Sequence, residues 1–530
     1  MYILLITLIF ILSVRSFAAF LNPALNSDNA IHILMAYDLR LPQDFYYWGQ
    51  DRLGSLVPII GHFLLKITSV SPVIAVSLAQ YLLLLIGFLA FASLLKSNLL
   101  KVILALAWFL PLVPFTELVM NSQPYGPQMA FIGIAIVLAS RFENSPSIQG
   151  FKRQLFIALI TISLFISIWL SDFSLVTALL FGGIVVGSIY QRGKKNVALQ
   201  GLKRFGLTAG DAINVALTSA IGIAFIAYAK ENAANTPSRY STFNSFSEVQ
   251  EIVAKLLSSV LRTITFKNTF FLTAPRRVLF LGIHAILVVV LIATIAYLIH
   301  RLRKHKSLTV SKWCYLFLLN AIASLILLPL SKWVYINGAN LRYFTVSYIS
   351  LWLAVLFFAD GLKGANSKLM SLLLVLVALA SSLSLPPRTY ALNAPQPKIQ
   401  ELQEFQALGK AGFIGGYWSS YILCTVNPAQ LNCTPFDEAT NQSPCLPNPE
   451  QQKKVGRVRC RRCTKRVFES ETIYLVKEKW LDEFPEEIQQ FRHCLVKAGD
   501  AKKVGDYTIA PYRDRTKGLA TEPAISGTRN

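Results

Sequence analysis

Between Asn26 and Pro58 the chain reads NSDNAIHILMAYDLRLPQDFYYWGQDRLGSLVP, which gathers Asp28, His32, Asp38, Arg40, Asp44, Asp51 and Arg52 around the aromatic run Phe45-Tyr46-Tyr47-Trp48. Acidic and apolar residues alternate here at helical spacing, so Asp28, His32 and Met35 fall on one face of a short helix. Asp28 follows an apolar run closely. A carboxylate held at such a boundary is partly withdrawn from water, a setting that suits a general base. Plainer roles stay open beside that one. The tyrosines and Trp48 fit an aromatic belt at a lipid interface. Asp28 fits the cap of a helix starting at Asn29, and His32 fits a packed interfacial residue.

The elements that must position these residues are apolar. Hydrophobic residues make up 54% of the 530-residue chain and charged residues only 15%, against about 25% charged in soluble domains. Apolar runs near the roughly 20 residues that a span needs occur at about 2–20, 75–95, 102–119, 127–140, 155–170, 173–190, 212–229, 278–299, 313–331, 343–359 and 369–385. The expected fold class is therefore a polytopic α-helical membrane protein of about 11 transmembrane helices, followed by a C-terminal α+β domain. The first run lacks a basic leader and a small-residue cleavage site, so it reads as an uncleaved span. Leu53–Thr68 is short and contains His62 and Lys66, which fits a helix lying in the interface.

The net charge of +23 has an explanation in this topology. Lys96 and Lys101, Arg141 to Arg153, Arg192 to Arg204, Arg301 to Lys306, and Lys363 with Lys368 fill alternate loops. That is the positive-inside pattern, not the single basic face of a nucleic-acid binder, so no nucleic-acid partner is expected. It puts the first loop (21–74), the 120–126 turn, Asp172, the 230–277 loop, the 333–342 loop and the tail on the extracytoplasmic side. Within 230–277, Val249–Thr265 has a helical pattern, and a loop of this length reads as a lid.

Two domains follow: a membrane body over 1–386 and an extracytoplasmic, cysteine-containing domain over 387–530. Six of the seven cysteines (Cys424, Cys433, Cys445, Cys460, Cys463, Cys494) lie in the tail. An even number there predicts disulfides, with pairing undetermined, and the lone CxxC lacks the second pair of a zinc site. Thr472–Val476 reads as a strand and Glu486–Leu495 as a short helix. Lys453–Arg466 carries eight basic residues and reads as a solvated, disulfide-pinned loop, or as a contact for anionic headgroups or an acidic acceptor.

The order of these features resembles the GT-C glycosyltransferases, in the branch of protein O-mannosyltransferases and the lipid A aminoarabinose transferase. The resemblance covers about residues 1–386. An Asp stands just past the first span, then comes Trp48-Gly-Gln-Asp51-Arg52-Leu53-Gly54-Ser55-Leu56-Val-Pro58, and Arg342-Tyr343-Phe344 opens a late span with Tyr348 one turn on. Arg52 stands where that branch has lysine, and the Pro-Pro pair is missing.

The resemblance implies an inverting transfer from a polyprenyl-phosphate sugar donor to a lipid, glycan or protein acceptor, in a multi-pass protein of the bacterial inner (plasma) membrane. It implies Asp28 as the catalytic base. Arg52 and Arg342 would hold the phosphate, since guanidinium forks match its oxygens; Arg342 also fits a snorkelling anchor. His32, Tyr47, Asp51, Gln123, Tyr125, Asp172 and Tyr343 complete the expected substrate-binding set. The second loop, Asn121-Ser-Gln123-Pro124-Tyr125-Gly126, lacks the acid that many relatives carry there. Glu117 and Asp172 are the nearest acids, so no obligatory metal or other cofactor is expected. The reading from another class is a transporter or flippase. Transporters usually keep their polar groups at mid-membrane depth, whereas here these groups sit at loop ends.

Overall fold

The computed structural model describes residues 1–145, 149–195, 208–233, 242–267, 274–304, 310–391, 396–446, 455–456 and 458–515. The membrane body is helical: α1 Tyr2–Phe17, α2 Ser27–Tyr37, α3 Leu56–Ile67, α4 Pro72–Leu94, α5 Asn98–Phe109, α6 Tyr125–Asn144, α7 Gly150–Leu170, α8 Ser174–Lys195, α9 Ala209–Asn232, α10 Phe246–Ile264, α11 Ala274–Lys304, α12 Lys312–Leu327, α13 Lys332–Ile336, α14 Thr345–Gly361 and α15 Gly364–Ser382. Among the described residues, eight helices are long and apolar enough to cross a membrane, and four more are shorter and apolar. The protein is a polytopic helical membrane protein with a C-terminal sheet domain.

Helix starts follow local chemistry. Asn26 and Asn29 form a reciprocal capping box at α2, and Ser71 caps α4 with Pro72 in the first turn. The apolar run 102–119 is not one helix, as the sequence reading had it. Pro111 and Pro114 end α5 at Phe109, and a 3-10 turn over Val113–Leu118 follows. α3 has 12 residues, about 18 Å at 1.5 Å per residue, too short to cross the roughly 30 Å hydrocarbon core.

Loops that the sequence assigned to one side do meet on one face. Leu53 pairs with Ser171, and Phe243 pairs with Ser331, through isolated β-bridges. Asn29 Nδ2 donates to Asn121 Oδ1 at 2.7 Å, which fixes the 120–126 turn on α2. Elsewhere in the body, Arg153 forks onto buried Asp211 at 2.6 Å, Lys312 pairs with Glu143, and the Lys96 N–H donates to Asp360. His284, on α11, bonds the Ile264 carbonyl and Ser381, a structural role.

The tail contains α16 Lys398–Glu401, β1 Ala411–Gly415, α17 Tyr417–Leu423, β2 Leu431–Pro435, α18 Arg461–Glu469, β3 Thr472–Val476, β4 Glu487–Gln490, β5 His493–Lys497, β6 Lys502–Val504 and β7 Tyr507–Asp514. The sheet runs β2-β1-β3-β7-β5-β4 with β6 on β7; β1 is parallel to both of its neighbours and the remaining pairs are antiparallel. Three disulfides, Cys424–Cys433, Cys445–Cys494 and Cys460–Cys463, tie it.

Glu486–Leu495 is a hairpin rather than the expected helix. Ile488, Phe491 and Leu495 fit a helical period, but Phe491 and Arg492 take positive φ (52° and 71°) and turn the chain so that Ile488 pairs with Leu495 in the core. The tail does not hang free of the body. Ile31, Met35, Trp48 and Val76 share one buried cluster with Phe405, Phe413, Tyr421 and Leu423.

Candidate functional site

Asp28 lies in the first turn of α2, half-buried, and Asn26 is the cap. The capping role open to Asp28 in the sequence is thus filled by another residue. Its Oδ1 accepts a hydrogen bond from the Tyr47 hydroxyl at 3.1 Å and another from the Tyr417 hydroxyl, a tail residue. Oδ2 accepts none from the described residues. Burial, then the Asp28 charge, hold both phenols well above the usual tyrosine range, so each stays a donor.

A second group stands within electrostatic reach of Asp28. Arg342 Nη1 is 3.8 Å from Glu117 Oε1, its Nη2 donates to the Tyr343 hydroxyl at 3.0 Å, and Glu117 also accepts from Ser122 at 3.0 Å. The Arg342 Nε is buried with no hydrogen-bond partner among the described residues. An orphan cationic donor is costly unless an anion satisfies it. Arg52 stacks over Trp333 at 4.5 Å, and its charge reaches Tyr125, as do those of Arg342 and Glu117. Arg342, with one unsatisfied nitrogen, therefore stands within reach of a carboxylate with one unused oxygen, and Arg52 joins the group through Tyr125. That arrangement suits proton removal beside an anionic leaving group.

The remaining expected residues divide. Tyr125 and Tyr343 belong to the arginine group. Asp172 is held by Lys230 at 2.8 Å and lies with Asp51 near Tyr46, so it forms part of the rim. Gln123 is half-buried on the 120–126 turn, between Ser122 and the start of α6. Among the described residues, Cys445, Glu487 and Cys494 cluster at metal-ligand spacing, but both sulfurs are in one disulfide.

His32 is buried, one turn from Asp28, with its ring edge against Tyr47 at 5.5 Å. Burial pushes its pKa from 6.5 down to about 4, against a weaker raising effect of the Asn121 backbone. An unfolded chain protonates this imidazole below pH 6.5 while the folded chain keeps it neutral, so its contribution to stability is lost as pH falls from 6.5 to about 4. That difference corresponds to roughly 3 kcal/mol. The melting temperature of the detergent-solubilised protein is expected to fall over this window, and His32→Gln to flatten the fall.

Tyr417 and Arg459 have no site role in the sequence, and Glu117 enters there only as an acid near the second loop. The solvated-loop reading of Lys453–Arg466 is corrected for its described residues. Arg459 lies 4.0 Å over the Tyr417 ring. Arg462 donates to both oxygens of buried Asp44, at 3.1 and 2.5 Å, and to the Asp38 carbonyl at 2.9 Å, while Arg466 meets Asp38 at 2.9 Å. Opposite charge draws α18 onto the first loop, and Gly49, at φ 73°, leaves room for the Arg459 backbone. The Cys-Arg-Arg-Cys signal was present, but its partners lie more than 400 residues away. Removing Arg462 leaves the buried Asp44 charge short of its cation, at a cost of about 3 kcal/mol. Arg462→Ala is expected to melt earlier and to expose the tail to limited proteolysis.

No protein-family model and no curated protein matches the chain. Among solved structures, it is similar to the archaeal oligosaccharyltransferase AglB from Archaeoglobus fulgidus in complex with an inhibitory peptide and a dolichol-phosphate, at 11% identity over 90% of this chain and 69% of that one, with a TM-score of 0.42. It is also similar to ArnT from Cupriavidus metallidurans bound to undecaprenyl phosphate, at 10% identity over 96% of this chain and 97% of that one, with a TM-score of 0.43.

Proposed function

We propose that this chain is a GT-C-type membrane glycosyltransferase that moves a sugar from a polyprenyl-phosphate donor to a hydroxyl or amine of a lipid, glycan or protein acceptor, with Asp28 as general base. The observation that carries the reading is the Asp28 carboxylate, held through Oδ1 by two tyrosines with Oδ2 left to accept, beside the Arg342–Glu117 pair and its orphan Arg342 Nε.

The acceptor heteroatom attacks the anomeric carbon opposite the phosphate. The new bond to the sugar forms as the carbon–oxygen bond to phosphate breaks. The bonding pair leaves with the polyprenyl phosphate, and the acceptor proton passes to Asp28 Oδ2. One displacement inverts the anomeric centre. Arg342 and Arg52 take up the charge growing on the leaving phosphate, stabilisation that matters most in the transition state. Tyr343 and Glu117 orient Arg342, and Trp333 orients Arg52.

The site face is the extracytoplasmic face of a bacterial inner membrane. Support comes from the three disulfides of the tail and from the alternation of Lys and Arg between loops in the sequence. Lipid analysis of a deletion strain tests the reading. A polyprenyl-phosphate sugar accumulates if the protein consumes it; unchanged lipid-linked sugars together with an unchanged envelope glycan profile refute it.

A further inference from the structure

The tail presents Tyr417 where a parallel sheet presents ligand-contacting residues, at the carboxyl end of β1 and the start of the following helix. Three contacts fix it there. The Gly416 N–H donates to Glu478 Oε2 at 2.9 Å and the Ser419 hydroxyl donates to the same carboxylate, so Glu478 ties down the first turn of α17. A Cβ at position 416 would overlap that carboxylate, so a side chain there would displace Glu478. The Arg459 guanidinium covers the Tyr417 ring at 4.0 Å. The hydroxyl, finally, reaches Asp28 and lies 3.4 Å from the Tyr47 hydroxyl.

A carboxylate oxygen offers two lone pairs. Tyr47 from the membrane body and Tyr417 from the tail both donate to Oδ1 of Asp28. We infer that Tyr417 is a positioning residue: with Tyr47 it occupies Oδ1 and turns Oδ2 toward the acceptor, so that the site is incomplete without the tail. The inference rests on the reading of Asp28 as the base. Phenols serve this purpose better than a lysine would, because they orient the carboxylate without neutralising it.

A tail anchor alone would need only the ring of Tyr417, which packs against Arg459, and phenylalanine would replace it. The hydroxyl separates the two roles. The test uses the full chain in lipid nanodiscs, treated at one fixed pH with a water-soluble carbodiimide and glycine amide, with coupling at Asp28 followed by peptide mapping and Asp38 as internal reference. Freed of one of its two donors, Asp28 couples about tenfold faster in Tyr417→Phe. In the same variant kcat for sugar transfer from the deletion strain's lipid-linked sugar pool falls about tenfold with KM unchanged. Tyr47→Phe moves both readouts in the same direction, while protease resistance of the tail stays at the wild-type level in Tyr417→Phe. Wild-type coupling and wild-type kcat in Tyr417→Phe would overturn the inference. Full transfer by Asp28→Asn would instead remove the base reading and leave the coupling result standing, so the two failures are distinct.

Discussion

Asp28→Asn is expected to lower sugar transfer by about three orders of magnitude, within the range set by loss of a general base, while the melting temperature holds. The substitution is nearly isosteric. The amide oxygen still accepts from Tyr47 and Tyr417, so the contacts at Oδ1 survive. What disappears is the capacity to take a proton. Stability is preserved for a reason that is local to α2: its cap is Asn26, paired reciprocally with Asn29, so Asp28 carries no capping duty. Transfer from a lipid-linked sugar, measured beside thermal melting, checks both halves. A variant that melts early and is inactive would mean a structural role for Asp28; one that keeps wild-type transfer would exclude it as the base.

Arg342→Gln is expected to cost about a hundredfold or more in kcat, the scale seen when a preorganised transition-state donor is lost. The Nε and one terminal nitrogen provide the fork, and a lysine restores charge without that geometry, so Arg342→Lys recovers only part of the rate. Loss of the guanidinium also leaves Glu117 without its cation, which confounds the single variant. The double variant Arg342→Gln with Glu117→Gln addresses this. Its melting temperature is expected to recover, because the uncompensated carboxylate is gone, while transfer stays low. Recovery of transfer in the double variant would mean that Arg342 acts only by balancing Glu117.

Much of the fold was legible because lipid imposes a one-dimensional rule. Each of the apolar runs contains a helix, and turns that the alternation of Lys and Arg grouped together touch one another through Leu53–Ser171, Phe243–Ser331 and Asn29–Asn121. The failures have local causes. Two prolines break the run at 102–119, and Ile488, Phe491 and Leu495 satisfy a helical period although left-handed residues at 491 and 492 force a hairpin.

The site was half legible. Asp28, Tyr47, Arg52 and Arg342 could be read because they flank spans in an ordered series. Tyr417 could not, since its contact with Asp28 bridges 389 positions and no spacing rule links a sheet-domain tyrosine to a loop carboxylate. The charge pairing of α18 with the first loop was hidden for the same reason: eight basic residues look solvated until the fold supplies Asp38 and Asp44.

The most direct measurement is product formation by the purified full chain in nanodiscs, supplied with the lipid-linked sugar pool and the membrane acceptors of a deletion strain. Release of free polyprenyl phosphate, with the sugar appearing on the acceptor in inverted configuration, is the predicted result for the wild type and is absent for Asp28→Asn. A lipid-linked sugar that crosses the bilayer intact, with no polyprenyl phosphate released, would contradict the account and make the protein a flippase.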